Sequence, residues 1–114
     1  MLDQAMTARP ESGAGLRQVL YSDGLLRVVL DGPAGQPVVR LVGEVDTTNS
    51  RALVRALADA HRREPALVVD AARVSFIDVS GARALLGFVH EASVSVCRVS
   101  APFRRLLTLL DLSL

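Results

Sequence analysis

Val74-Ser75-Phe76-Ile77-Asp78-Val79-Ser80-Gly81 is the stretch that decides how this chain folds. It is preceded by Ala66-Leu67-Val68-Val69-Asp70, a short and almost unbroken apolar run of the kind that makes a central strand covered on both faces. It is followed by Leu85, Phe88 and Val89 at i, i+3 and i+4, with Ala82 and Leu86 alongside, the stripe of an amphipathic helix. Phe76 and Ile77 give way abruptly to Asp78, Val79, Ser80 and Gly81. The stretch is therefore a strand-to-helix junction, with a carboxylate and a hydroxyl close together at a helix N-terminus.

Upstream, Leu25-Leu26-Arg27-Val28-Val29-Leu30 and Val38-Val39-Arg40-Leu41-Val42 are rich in strand formers. The seven residues between them hold Asp31, Gly32, Pro33, Gly35 and Pro37, so the pair forms a β-hairpin. After Gly43-Glu44-Val45-Asp46 the period changes: Leu53, Leu57 and Ala60 fall at helical spacing, with Arg51, Arg55, Asp59 and Arg62 mostly off that stripe. Asp46, Thr47, Thr48 and Asn49 each offer an N-cap, and Pro65 marks the end of the helix.

Downstream, Val94-Ser95-Val96-Cys97-Arg98-Val99 is a further strand. Pro102 sits in the first turn of a last helix whose buried stripe is Phe103, Leu106, Leu107 and Leu110. The order β-β-α-β-α-β-α predicts one α/β domain over residues 21–114, with a mixed, mostly parallel sheet of about four strands and helices packed on it. Residues 1–20 show no sustained periodicity and are expected to be a disordered tail, with only a weak strand or helix signal at 16–20.

A chain of 114 residues suits one domain with a real core. With 50% hydrophobic residues but only 4% aromatic, that core must be aliphatic. A net charge of +1 supplies no general attraction to nucleic acid or acidic membranes. The single Cys97 excludes an internal disulfide, no apolar run approaches the length of a membrane span, and the N-terminus lacks the order of a signal peptide; a soluble, cytoplasmic protein is expected.

Ser, His and Asp are all present, yet His90 lies ten positions beyond Ser80 on the same helix. That is roughly 15 Å, far outside hydrogen-bond reach, so no catalytic residue is assigned. The motif Asp-Val-Ser-Gly-Ala is not a hydrolase elbow. One Cys and two scattered His cannot build a closed zinc site, and Cys97, alternating with valines, reads as a small buried thiol. Gly32, Gly35 and Gly43 do not form a phosphate loop, so no cofactor is expected. Arg51, Arg55, Arg62 and Arg63 read as a solvated helix face.

That leaves Ser80. As N-cap of its helix its hydroxyl would accept an N–H from the first turn, worth about 1 kcal/mol. As a phosphorylation site it would carry about two negative charges beside free backbone N–H groups, which the helix dipole tolerates. Asp78 would repel that phosphate, and so would Asp46 at the other strand-to-helix junction. The two roles are compatible.

Gly43-Glu44-Val45-Asp46, Val68-Val69-Asp70 and Phe76-Ile77-Asp78-Val79-Ser80-Gly81, in that order on this frame, resemble the STAS family, and more closely the bacterial anti-sigma factor antagonists. The resemblance covers about residues 25–112. It implies that Ser80 is phosphorylated by a partner anti-sigma factor serine kinase of histidine-kinase-like ATPase fold. Asp46 and Asp78 match the family's phosphosite-flanking aspartates, with Val79 and Gly81 beside them in a docking face. It implies a partner-switching regulator of transcription that binds the kinase when unphosphorylated, releases it when phosphorylated, and is reset by a serine phosphatase. A monomer or weak dimer is expected. The alternatives are a STAS scaffold or sensor subunit of a larger regulatory or transporter complex, with Ser80 only a cap, and a nucleotide-binding domain.

Overall fold

The computed structural model describes residues 17–33 and 35–114. Residues 1–16 of the expected tail lie outside the described residues. The strands are β1 (Gln18–Ser22), β2 (Leu26–Asp31), β3 (Val38–Val45), β4 (Val68–Ile77) and β5 (Ser95–Val99), and the helices are α1 (Ser50–Arg63), α2 (Val79–Ala92) and α3 (Ala101–Leu110). They form an α/β domain around one five-stranded sheet of order β1-β2-β3-β4-β5. The pairs β1–β2 and β2–β3 are antiparallel, and β3–β4 and β4–β5 are parallel.

The strand β1 corrects the expected tail boundary and adds a fifth strand. It lies at the sheet edge, and Gln18, Val19 and Ser22 are exposed. An edge strand held mainly by ladder hydrogen bonds needs no sustained apolar alternation, so its sequence signal was weak.

Alternate residues of the inner strands enter one core: Leu26, Val28 and Leu30 of β2, Val39 and Leu41 of β3, Val69 and Ala71 of β4. Against them pack Leu53, Leu57 and Ala60 of α1, Leu85, Phe88 and Val89 of α2, and Phe103 and Leu107 of α3. These are the helical stripes expected from the spacing. In α3, Leu106 and Leu110 are only half-buried.

At Val69–Ala71 β4 is buried on both faces, but only one of them is the apolar core. Asp70, between Val69 and Ala71, falls on the opposite side of the strand from the core, as strand alternation requires. It is 4% exposed, held by Arg40 at 2.7 Å and by Arg98. Burial alone would push its carboxyl up. The Ala72 N–H, then Arg98 and Arg40, outweigh this and hold it below the usual carboxylate range.

The buried-thiol reading of Cys97 is overturned, because its side chain is exposed. The β4–β5 register slips between Val69 and Asp70, so Val96 and Val99 both pack on the core and the residues between them are left outside. Simple alternation fails at such an irregularity.

Candidate functional site at the strand carboxyl ends

Parallel pairing of β3 and β4 sets Val45 opposite Ile77, so Asp46 and Asp78 leave the sheet at the same end. The Asp78 N–H donates to the Val45 carbonyl at 3.1 Å, joining the two junctions directly. Because β2 runs antiparallel to β3, its start comes to that end too, and the Glu44 N–H donates to the Leu25 carbonyl at 2.9 Å. Three segments therefore meet here: the turn before β2, the loop into α1, and the junction into α2.

The cap of α2 is Asp78, not Ser80. Its Oδ1 accepts the Gly81 N–H at 2.7 Å and the Ser80 hydroxyl at 3.1 Å. Ser80 lies one residue inside the helix and is half-buried, so its Oγ donates to the capping carboxylate instead of receiving a backbone N–H. The sequence placed the junction correctly but assigned the cap two residues too late. Asp78→Ala is accordingly expected to destabilise the fold by about 1 kcal/mol and Ser80→Ala by markedly less, as read from urea unfolding midpoints. Equal losses would return the capping role to Ser80.

Gly81 lets α2 begin directly on β3. A Cβ there would sit 2.8 Å from Val45 Cγ1 and 3.1 Å from the Val45 carbonyl oxygen. On the outer side of the same junction two large apolar side chains remain in solvent, Phe76 at 50% and Val79 at 42% exposure.

The loop into α1 is held from inside. Asn49, fully buried, accepts the Asp46 N–H on Oδ1 at 3.0 Å and donates from Nδ2 to the Glu44 carbonyl at 2.9 Å. It occupies the N-cap position of α1, but its side chain serves this loop and makes no cap hydrogen bond. The Asp46 carboxylate accepts both the hydroxyl and the N–H of Thr48, which hold its pKa below the ordinary value.

Tyr21 and Asp23 complete the cluster and were missed by the sequence reading. The Tyr21 hydroxyl donates to Asp23 Oδ2 at 2.6 Å, while Oδ1 accepts the N–H groups of Leu25 and Leu26 at 2.6 and 2.7 Å. These bonds, that from Tyr21 first, lower the Asp23 pKa to about 2. The same hydrogen bond raises the pKa of Tyr21. The dipeptide Asp23-Gly24, a hairpin-turn signal, was the available clue.

A carboxyl whose folded pKa lies below its ordinary 3.8 stabilises the fold above that pH and loses its contribution as pH falls toward about 2. Tyr21→Phe removes the largest cause, so the Asp23 carboxyl should titrate closer to 3.8 in an NMR pH series. An unchanged midpoint would show that the backbone donors suffice.

The remaining candidates are not drawn in. His90 is exposed on α2, and His61 lies edge-on to Phe88 with ring centroids 6.2 Å apart. Among the described residues no group of three or more His, Cys, Asp or Glu stands close enough to hold a metal ion, and no helix is long and apolar enough to cross a membrane.

A mixed five-stranded sheet with a capped Asp-x-Ser-Gly helix start at its carboxyl end defines a STAS-type α/β domain. The chain belongs to the family described as Mlab, STAS domain, whose model matches residues 28–113. In structure it is similar to an anti-sigma factor antagonist from Mycobacterium paratuberculosis, with 24% sequence identity, a TM-score of 0.63, and coverage of 75% of this chain and 78% of that one. At that identity the likeness is one of fold. No curated protein matches the chain.

Proposed function

We propose that the protein is an anti-sigma factor antagonist, a regulator and not an enzyme, that works in the bacterial cytoplasm by switching partners through Ser80. Unphosphorylated, it binds an anti-sigma factor serine kinase. Phosphorylated on Ser80 it lets go, and a serine phosphatase resets it. The observation that supports this best is the setting of Ser80: in the first turn of α2, beside Asp78, with exposed Phe76 and Val79 flanking it. Exposed apolar side chains around a modifiable hydroxyl give a face where a dianion would have to be desolvated against a partner. Asp46 and Asp78 add negative charge at the same end. The likeness in fold to a protein described as an anti-sigma factor antagonist points the same way.

With its cognate kinase and ATP, the chain should gain the mass of one phosphate, and Ser80→Ala should abolish the gain. Phosphate on another residue would sink the switch.

A second reading is a scaffold or sensor subunit of a larger assembly, in which Ser80 is only part of the helix start. The hydrogen bond that ties the Ser80 hydroxyl to Asp78 favours it. It requires a stable complex that is indifferent to Ser80→Asp.

A further inference from the structure

A trough of about 650 Å³ runs between α1 and α2 on the outer surface of the domain. It is lined by Arg51 and Arg55 from α1 and Arg83 from α2, and its apolar part combines Val54 and Phe88 with the small Ala58, Ala84 and Gly87. A second hollow sharing Ala58, Phe88 and Glu91 continues it past His61 and Ala92. Each helix has 14 residues, so the trough is about 20 Å long. Both helices leave parallel strands from the same end, so all three arginines gather in the half nearest Ser80.

Two observations say what fits there. The first is charge. Among the described residues, ion pairs engage Arg17, Arg40, Arg62 and Arg98, and Arg51, Arg55 and Arg83, like Arg27, Arg63, Arg73, Arg104 and Arg105, have neither an ion pair nor a side-chain hydrogen bond; what sets the trough apart is that three such guanidinium groups line one hollow. Glu91 at the far end is the trough's single carboxylate. Unpaired guanidinium groups beside an apolar floor are complementary to acidic groups on an apolar ridge.

The second is Gly87. It lies in the interior of α2, where glycine costs about 1 kcal/mol relative to alanine. An added Cβ would meet nothing within 4 Å, so no packing inside this chain requires its absence. A glycine on an exposed helix face permits another backbone to approach closely.

We propose that this trough docks an amphipathic helix of a partner protein, whose acidic residues face Arg51, Arg55 and Arg83 and whose small apolar residues lie on Ala58, Ala84 and Gly87. The proposal does not require phosphorylation of Ser80. Its test uses neither kinase nor ATP, so its failure and the failure of the switch are separate results.

The probe is a phage-displayed library of single amphipathic helices selected on the full chain. The survivors should be enriched in Asp and Glu toward one end, and NMR shift changes on binding should fall on α1 and α2. Gly87→Gln fills the trough and should weaken the selected helices by about tenfold or more, as should Arg51→Glu with Arg83→Glu. Gly87→Ala, which should raise the unfolding midpoint, confirms that the position tolerates a side chain. A library that yields no binders, survivors without acidic enrichment, a footprint on another face, or undiminished binding to Gly87→Gln would each overturn the proposal.

Discussion

On the proposed partner switch, replacing Ser80 with aspartate is expected to weaken binding to an anti-sigma factor kinase a hundredfold or more while leaving the domain folded. The fold tolerates the charge because of where it lands. In the first turn of α2 the leading N–H groups have no intrahelical acceptor, and the helix dipole favours an anion there. Asp78 takes the Gly81 N–H and repels the newcomer, but Ser80 is only half-buried, so a new carboxylate can swing toward water. In a complex that escape closes. Phe76 and Val79 would be covered by the partner, and the charge beside them would lose its water. A loss of about 3–4 kcal/mol at that point corresponds to a hundredfold or more in affinity. Calorimetric titration of wild type and Ser80→Asp against the kinase measures it, with thermal unfolding as the control for fold. Equal affinities would leave the scaffold reading standing and the switch without support.

The largest effect on stability is expected at Gly43. Its φ is +119°, a conformation that side chains rarely adopt, and a Cβ there would collide with the carbonyl oxygen of Leu25. That oxygen is the acceptor of the Glu44 N–H, and the β3–β4 register shifts between Gly43 and Glu44. Glycine at this bulge lets β3 turn its last residues toward the loop that carries Asp46. Gly43→Ala should cost about 3 kcal/mol or more, a large part of the stability of a domain this size. The thermal midpoint should fall by about 10 °C or more, as scanning calorimetry would read it. A shift of a few degrees would mean that the turn before β2 yields without strain.

The buried stripes of α1, α2 and α3 stood out in the sequence because each repeats at helical spacing and packs on one face. The Asp78–Gly81 junction stood out because polarity changes there within a single residue. Asp70 and Cys97 misled for a shared reason. Both lie in or beside strands rich in valine, where composition marks a strand but does not say which side packs. The outcome was decided by partners distant in the chain, Arg40 for Asp70 and the register slip against β4 for Cys97. Tyr21, Asp23 and Asn49 depended on which loops the topology brings to one end, and no local spacing encodes that. The cap on α2 was misassigned because Asp78 and Ser80 are both good capping types. Only the geometry shows that the carboxylate holds the backbone N–H and the hydroxyl leans on the carboxylate.

The sheet order β1-β2-β3-β4-β5 repeats the order of the chain. Each strand lies beside the one that precedes it, so none has to be inserted between two already paired. During synthesis, at about 5–20 residues per second, every new strand can dock on the edge left by its predecessor. The helix that connects two parallel strands can settle as the second one pairs. Assembly can thus proceed from the N-terminal hairpin outward without undoing earlier contacts. The β4 edge, which carries the Asp78–Ser80 junction at its end, stays open until β5 has been made.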